Sequence, residues 1–210
     1  MLCTSFRRVI TITQQQQKLL STKANLAAIN CFRSFSQTTN TMISTGTDLT
    51  TSECTLQKAR PWHTNDSDSN LADDNTVTMS ALFKGKKVAV FGVPAPFTGT
   101  CTTAHYPPYQ KLQDDFKAKG VDEIVCYSVA DPYAHYNWAK GMGNDFEKIT
   151  FLADVDCEFA KAHELDRDYS VVSLGHRSAR FSMIVEDGVV KAFNMVEEAE
   201  TDAETLLEQV

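Results

Sequence analysis

KVAVFGV, residues 87 to 93, is a run of β-branched and aromatic residues bounded by a turn signal at Gly85 and by Pro94. A short, nearly continuous apolar run between chain breakers reads as a strand buried on both faces. A helix is expected next. Tyr106, Tyr109, Leu112 and Phe116 recur at roughly helical spacing, and Gly120 closes the segment as a C-cap residue would. Pro107 and Pro108 fall near its beginning, where missing N–H groups cost least, and two together point to a bend.

The order then repeats. Glu123 to Val129 reads as a second strand, Asp131 and Pro132 as N-cap and first position of a helix running to about Met142, and Thr150 to Ala153 as a third strand. Asp156 is placed to cap a short helix to His163. Phe181 to Val185 and Val189 to Phe193 form a hairpin across Asp187-Gly188, a strong short hairpin signal. Thr201-Asp202-Ala203-Glu204 has the spacing of a capping box and opens the last helix. Strands alternating with helices before a terminal hairpin and helix imply an α/β sandwich on a mixed central sheet, a thioredoxin-like arrangement.

The rest of the chain differs in composition. Residues 1–47 contain five basic residues (Arg7, Arg8, Lys18, Lys23, Arg33) and no acid, whereas the remainder carries 15 Lys or Arg against 27 Asp or Glu. A Ser-, Thr- and Gln-rich leader with spaced Arg has the character of a mitochondrial transit peptide, with Arg33-Ser34-Phe35-Ser36 as the region of cleavage. The polar run Gln14 to Gln17 cuts Val9 to Ile12 short of a secretory core, and no 18-residue apolar stretch provides a membrane span. A start at Met42 would give a product without the leader, a cytoplasmic option beside the mitochondrial one. Asn65-Asp66-Ser67 matches a glycosylation acceptor, read as chance without a secretory route. Residues 48–78 are polar and read as a linker passing into the edge of the fold, and 79–210 as one domain. The acidic body forms no basic patch and argues against nucleic-acid binding.

Six cysteines (3, 31, 54, 101, 126 and 157) include no C-x-x-C pair, which removes the usual zinc ribbon and a dithiol oxidoreductase. Cys101 stands out because it follows a strand and a proline turn and begins a helix. Unpaired N–H groups and the positive end of the helix dipole there favour a thiolate.

Pro94, Thr98 and Cys101 are spaced P-x-x-x-T-x-x-C. This resembles the peroxiredoxin signature. Phe91-Gly92-Val93-Pro94, Cys101 with His105 four residues on, Val129-x-Asp131-Pro132, Leu152-Ala153-Asp154 and Arg180-Phe181-Ser182-Met183 are similar to the type II, or peroxiredoxin-5, branch. The likeness spans about Met79 to Val210. It implies that Cys101 is the peroxidatic cysteine, that Thr98 and Arg180 are its polar partners, and that Pro94 shields the pocket. Arg177 is the rival cation, without the Phe-Ser-Met context. Ala95, Pro96, Gly99 and Thr100 stand where the family usually has Gly, Ala, Pro and Gly, departures that bear on pocket shape. His105 is read as packing.

The resemblance implies reduction of hydrogen peroxide and alkyl hydroperoxides through a cysteine sulfenic acid, with no metal, haem or other cofactor. Thiolate formation alone is insufficient: a thiol of ordinary pKa is already about 7% ionised at pH 7.4, so a lowered pKa gains only about tenfold. Donors aimed at the breaking O–O bond must supply the rest. No Cys follows Cys157, which closes one branch's route of resolution. Cys126 occupies the position of the second cysteine in plant-type members, and Cys157 stands beside Asp154 and Asp156; each is also read as a structural thiol. If neither reacts, glutathione, glutaredoxin or thioredoxin must reduce Cys101. A homodimer around the active-site loops is a further option. A different class, a peroxide-sensing switch or holdase with negligible turnover, predicts no sustained peroxide consumption.

Overall fold

The structure is a computed structural model and describes residues 42–61 and 71–210. Cys3, Cys31, the leader up to residue 41 with its Arg33 region, and Asn65-Asp66-Ser67 lie outside the described residues.

Strands β1 (Thr55–Lys58), β2 (Thr76–Thr78), β3 (Lys87–Val93), β4 (Glu123–Ser128), β5 (Ile149–Ala153), β6 (Asp166–Asp168), β7 (His176–Ser178), β8 (Phe181–Glu186) and β9 (Val189–Met195) alternate with helices. Seven of them form one sheet in the order β2-β1-β5-β4-β3-β8-β9. β3, β4 and β5 are parallel, as strands joined by helical crossovers must be, while β1, β2, β8 and β9 add antiparallel partners. The sheet is therefore mixed. β6 and β7 make a separate two-stranded ribbon.

The helices are α1 (Leu71–Asp74), α2 (Met79–Phe83), α3 (Tyr106–Ala118), α4 (Pro132–Gly141), α5 (Glu158–Ala162) and α6 (Asp202–Glu208). Because successive strand residues point to opposite faces, β3 sends Val88 and Val90 to one side and Ala89, Phe91 and Val93 to the other. The first side packs against α2, α5 and the N-terminal segment. The second packs against α3, α4 and α6. KVAVFGV is thus buried on both faces, and Gly92 must be glycine: a Cβ there would stand 2.1 Å from the Phe181 ring.

Asp131 caps α4 through the amides of Tyr133 and Ala134, and Asp187 and Gly188 take the positive φ values, 48° and 84°, that join β8 to β9. Two expected caps differ. Asp154, not Asp156, accepts from the amides of Glu158 and Ala160 at 2.9 and 3.1 Å. Its distance along the chain is bridged by Cys157, which turns back with φ 59°. The capping box of Thr201 does not close; its side chain bonds no helix amide, and Asp202 turns inward.

Within 48–78, expected to pass into the edge of the fold, lie β1 and β2. The fold begins earlier than residue 48 as well. Ile43 and Leu49 are buried, the Gly46 amide donates to Val190 O, and the Val190 amide donates to Thr47 O. This strap covers the outer edge of β9.

Candidate active site

β3 ends where Pro94 removes a ladder donor. The chain turns through Phe97, which sits at φ 62°, an uncommon conformation for a side chain of this size. Thr98 O then accepts from the Thr102 amide at 3.1 Å, so Cys101 falls in the first turn of a helix. Trp138 of α4 donates to the Thr102 hydroxyl at 3.0 Å and fixes this turn from outside. From Cys101 to His105 the winding is π-helical, with the Tyr106 amide reaching Cys101 O five residues back.

The Cys101 thiol is 2% exposed. Arg180, at the entry to β8, reaches it from the other side of the site: Nη2 lies 3.4 Å from Sγ. Its second arm, Nη1, stands 2.9 Å from His105 Nδ1. A guanidinium has no lone pair to offer, so Nδ1 accepts and the ring proton belongs on Nε2. His105 Nε2 therefore donates to Asp202 Oδ2 at 2.8 Å, and the contact is a hydrogen bond of neutral imidazole rather than an ion pair. Burial lowers the His105 pKa, with Arg180 adding to it against the pull of Asp202. Tyr109 and Ser182 also donate to Asp202, at 2.6 and 2.7 Å.

Thr98 and Pro94 are close by in the chain but act differently. The Thr98 hydroxyl donates to Ala95 O at 2.9 Å, and no hydrogen bond joins it to Cys101 among the described residues. With its proton committed, it is left as an acceptor toward anything entering the site. Pro94 and Arg180 line an open depression of about 490 Å³, with Tyr169, Ala179 and Met195. Arg177 is directed elsewhere, to the carbonyls of Val129 and Leu174.

Among the described residues, Cys54, Cys126 and Cys157 are also buried. Cys126 shares the Cys101 face of the sheet, fully enclosed in β4, with Sγ 3.9 Å from His135 Nε2. Burial, followed by Cys101, pushes its pKa well up, and burial pushes His135 down to about 3. Cys157 lies on the opposite face, its pKa raised by burial and then by Asp154. The polar roles of His105 and Asp202 were not anticipated. A histidine one turn beyond Cys101 was the only signal for the first, and an acid at a helix start is too ordinary to signal the second.

A buried thiol facing a guanidinium at a helix start on this mixed sheet defines a thiol protein of the thioredoxin-fold class. The sequence profile of the redoxin family matches residues 55–208, from the first strand to the last helix. Mitochondrial peroxiredoxin-2F of Arabidopsis thaliana is 44% identical over 173 residues, covering 79% of this chain and 83% of its own. The rice protein of the same name is 41% identical, covering 80% and 85%. Reduced Prx3 of Vibrio vulnificus, solved in complex with H2O2, is similar with a TM-score of 0.64 at 35% identity, over 79% of this chain and all of that one. Peroxiredoxin 5 of Alvinella pompejana gives a TM-score of 0.65 at 26% identity, over 80% and 98%. The chain belongs to the peroxiredoxin family, the thiol-dependent peroxidases of antioxidant defence.

Proposed function

We propose that Cys101 is the nucleophile of this peroxidase and that Arg180, Thr98 and Pro94 form its immediate surroundings. The observation that carries the assignment is the Arg180 Nη2 contact to Sγ at 3.4 Å. The Cys101 thiolate attacks the terminal oxygen of ROOH; an S–O bond forms, the O–O bond breaks, and the departing RO⁻ takes a proton and leaves as ROH. Arg180 stabilises the thiolate and then the charge that moves onto the leaving oxygen. Thr98 accepts the peroxide hydroxyl proton as a hydrogen bond, and Pro94 keeps water from the sulfur.

The sulfenic acid is reduced by an external thiol, either glutathione with glutaredoxin or thioredoxin. Full enclosure of Cys126 and the position of Cys157 across the sheet support this one-cysteine scheme. Phe97 on the active loop and Met195 beside the depression, 65% and 49% exposed, support a homodimer around the site. The basic leader and the mitochondrial relatives support a mitochondrial destination. Burial of Ile43 supports a cut before Met42.

The test is peroxide consumption by residues 42–210 with either reductant. Loss of turnover in Cys101→Ser alone is expected. Turnover surviving in Cys101→Ser overturns the assignment, and loss of thioredoxin-linked turnover in Cys126→Ser or Cys157→Ser makes that residue the resolving thiol.

A further inference from the structure

Asp202 is 4% exposed and lies 97 positions from the histidine it touches. It accepts from His105, Tyr109 and Ser182, and Ser182 in turn accepts from Asn194 Nδ2 at 3.1 Å. The carboxylate is thus fixed by groups from α3 and β8, with β9 behind them. The imidazole is fixed as well. Both its nitrogens are engaged, and Phe91 meets it edge-on at a centroid distance of 5.3 Å while stacking on Tyr109 at 3.9 Å.

A neutral imidazole has two tautomers, and only one suits Arg180. With the proton on Nε2, Nδ1 offers a lone pair to Arg180 Nη1. With the proton on Nδ1, two N–H donors would face one another and turn the guanidinium away. Each hydrogen bond in this row needs the one before it, as when a carboxylate sets the tautomer of a catalytic histidine.

We propose that Asp202 and His105 are positioning residues: Asp202 selects the His105 tautomer whose Nδ1 holds one arm of Arg180, leaving the other aimed at Cys101. This rests on the assignment of Cys101 and Arg180 to peroxide reduction. Arginine is otherwise a long, flexible side chain, and an unheld guanidinium spends its time in orientations that miss the breaking O–O bond. The row therefore acts on alignment. It contributes little to reactions that need only a thiolate.

That distinction supplies the test. Rates of Cys101 with H2O2 and with iodoacetamide are measured in the unmodified protein, Asp202→Asn, His105→Phe and the double variant, at a temperature where near-ultraviolet circular dichroism shows each folded. Asp202→Asn is expected to slow the peroxide reaction about tenfold and alkylation less than about twofold. In the His105→Phe background the same change should have almost no further effect on peroxide, because its route to Arg180 is already cut. Equal losses in both backgrounds, or parallel losses toward peroxide and iodoacetamide, overturn the proposal. Nitrogen chemical shifts of the His105 ring in the unmodified protein give a result independent of whether any variant folds: Nε2–H with an accepting Nδ1 is expected at pH 7, and an Nδ1–H ring or an imidazolium overturns it. Failure of the unmodified protein to react with peroxide through Cys101 would instead break the underlying assignment.

Discussion

Cys101 and Cys157 are buried to 2% and 4% exposure, and each stands at the start of a helix, yet on opposite faces of one sheet they meet opposite surroundings. Cys101 lies in a first turn facing the Arg180 guanidinium. At Cys157 the helix start is already occupied. Asp154 takes the amides of Glu158 and Ala160, is itself held by the Tyr127 hydroxyl at 2.6 Å, and repels negative charge on the neighbouring sulfur. A helix N-terminus favours an anion only while its donors are free to meet one. Burial and helix position are therefore shared by a proposed nucleophile and a structural thiol; the separating feature is which charged side chain arrived from elsewhere in the chain.

The comparison breaks most readily at Arg180. Arg180→Met is expected to lower the rate of peroxide reduction about 10²- to 10³-fold, as loss of a charge-stabilising donor does. Arg177→Met, which loses only carbonyl contacts, should stay within about threefold when read by the same stopped-flow assay. Comparable losses from both would remove the distinction between the two arginines. In mass-spectrometric labelling of the folded protein, Cys101, which faces the Arg180 guanidinium, should alkylate at least about tenfold faster than Cys54, Cys126 or Cys157, whose pKa values burial raises.

Two fully buried histidines, His105 and His135, sharpen the contrast through pH. His105 and His135 have lowered pKa values, chiefly through burial, so the folded protein leaves them neutral while the unfolded chain takes up protons below about pH 6.5. Their contribution is intact above that pH and is lost as pH falls, at about 1.4 kcal/mol per pH unit for each group, for His135 continuing down to about 3. Urea unfolding between pH 7 and 4 should show a shallower decline in His135→Leu than in the unmodified chain. An unchanged slope counts against a neutral, buried His135.

Smaller effects belong to the opposite face. Removing residues 42–47 takes Ile43 out of the core and should cost about 2 kcal/mol in urea unfolding compared with residues 42–210. Asp154→Asn should cost about 1 kcal/mol by setting an NH2 against donors that now share one carboxylate oxygen, the Tyr127 hydroxyl and the Ala160 amide, and should let Cys157 alkylate at lower pH once the neighbouring charge is gone.

Much of this was legible in the residues because it is local. KVAVFGV, the Asp131-Pro132 helix start and the Asp187-Gly188 turn each carry their signal within a few positions, and the structure has them there. The P-x-x-x-T-x-x-C spacing singles out Cys101, which the structure places in a first helical turn with Arg180 Nη2 at 3.4 Å from Sγ. What could not be read depended on convergence across the fold. Asp154 displaced Asp156 as a cap because Cys157 adopts a left-handed conformation that no residue nearby announces. Asp202 looked like part of a capping box, since nothing local reveals that it meets His105, Tyr109 and Ser182. The polar stretch 48–78 hid β1 and β2 for a similar reason: short strands at the margin of a sheet need few apolar residues, and these are defined by pairing with each other and, for β1, with β5.

The strap of residues 43–49 lies along β9 and the hairpin turn, and β3 lies along β8, so the beginning of the folded body is completed by its end. In a chain delivered N-terminus first, β1 and β3 can pair with β2, β4 and β5 as these appear, but the strap and the other edge of β3 have no partner until residues 181–195 follow. Closure of the sheet is therefore late, the behaviour of a high-contact-order topology. The same connection that seals the edge of the sheet makes completion of the fold wait for its C-terminal hairpin.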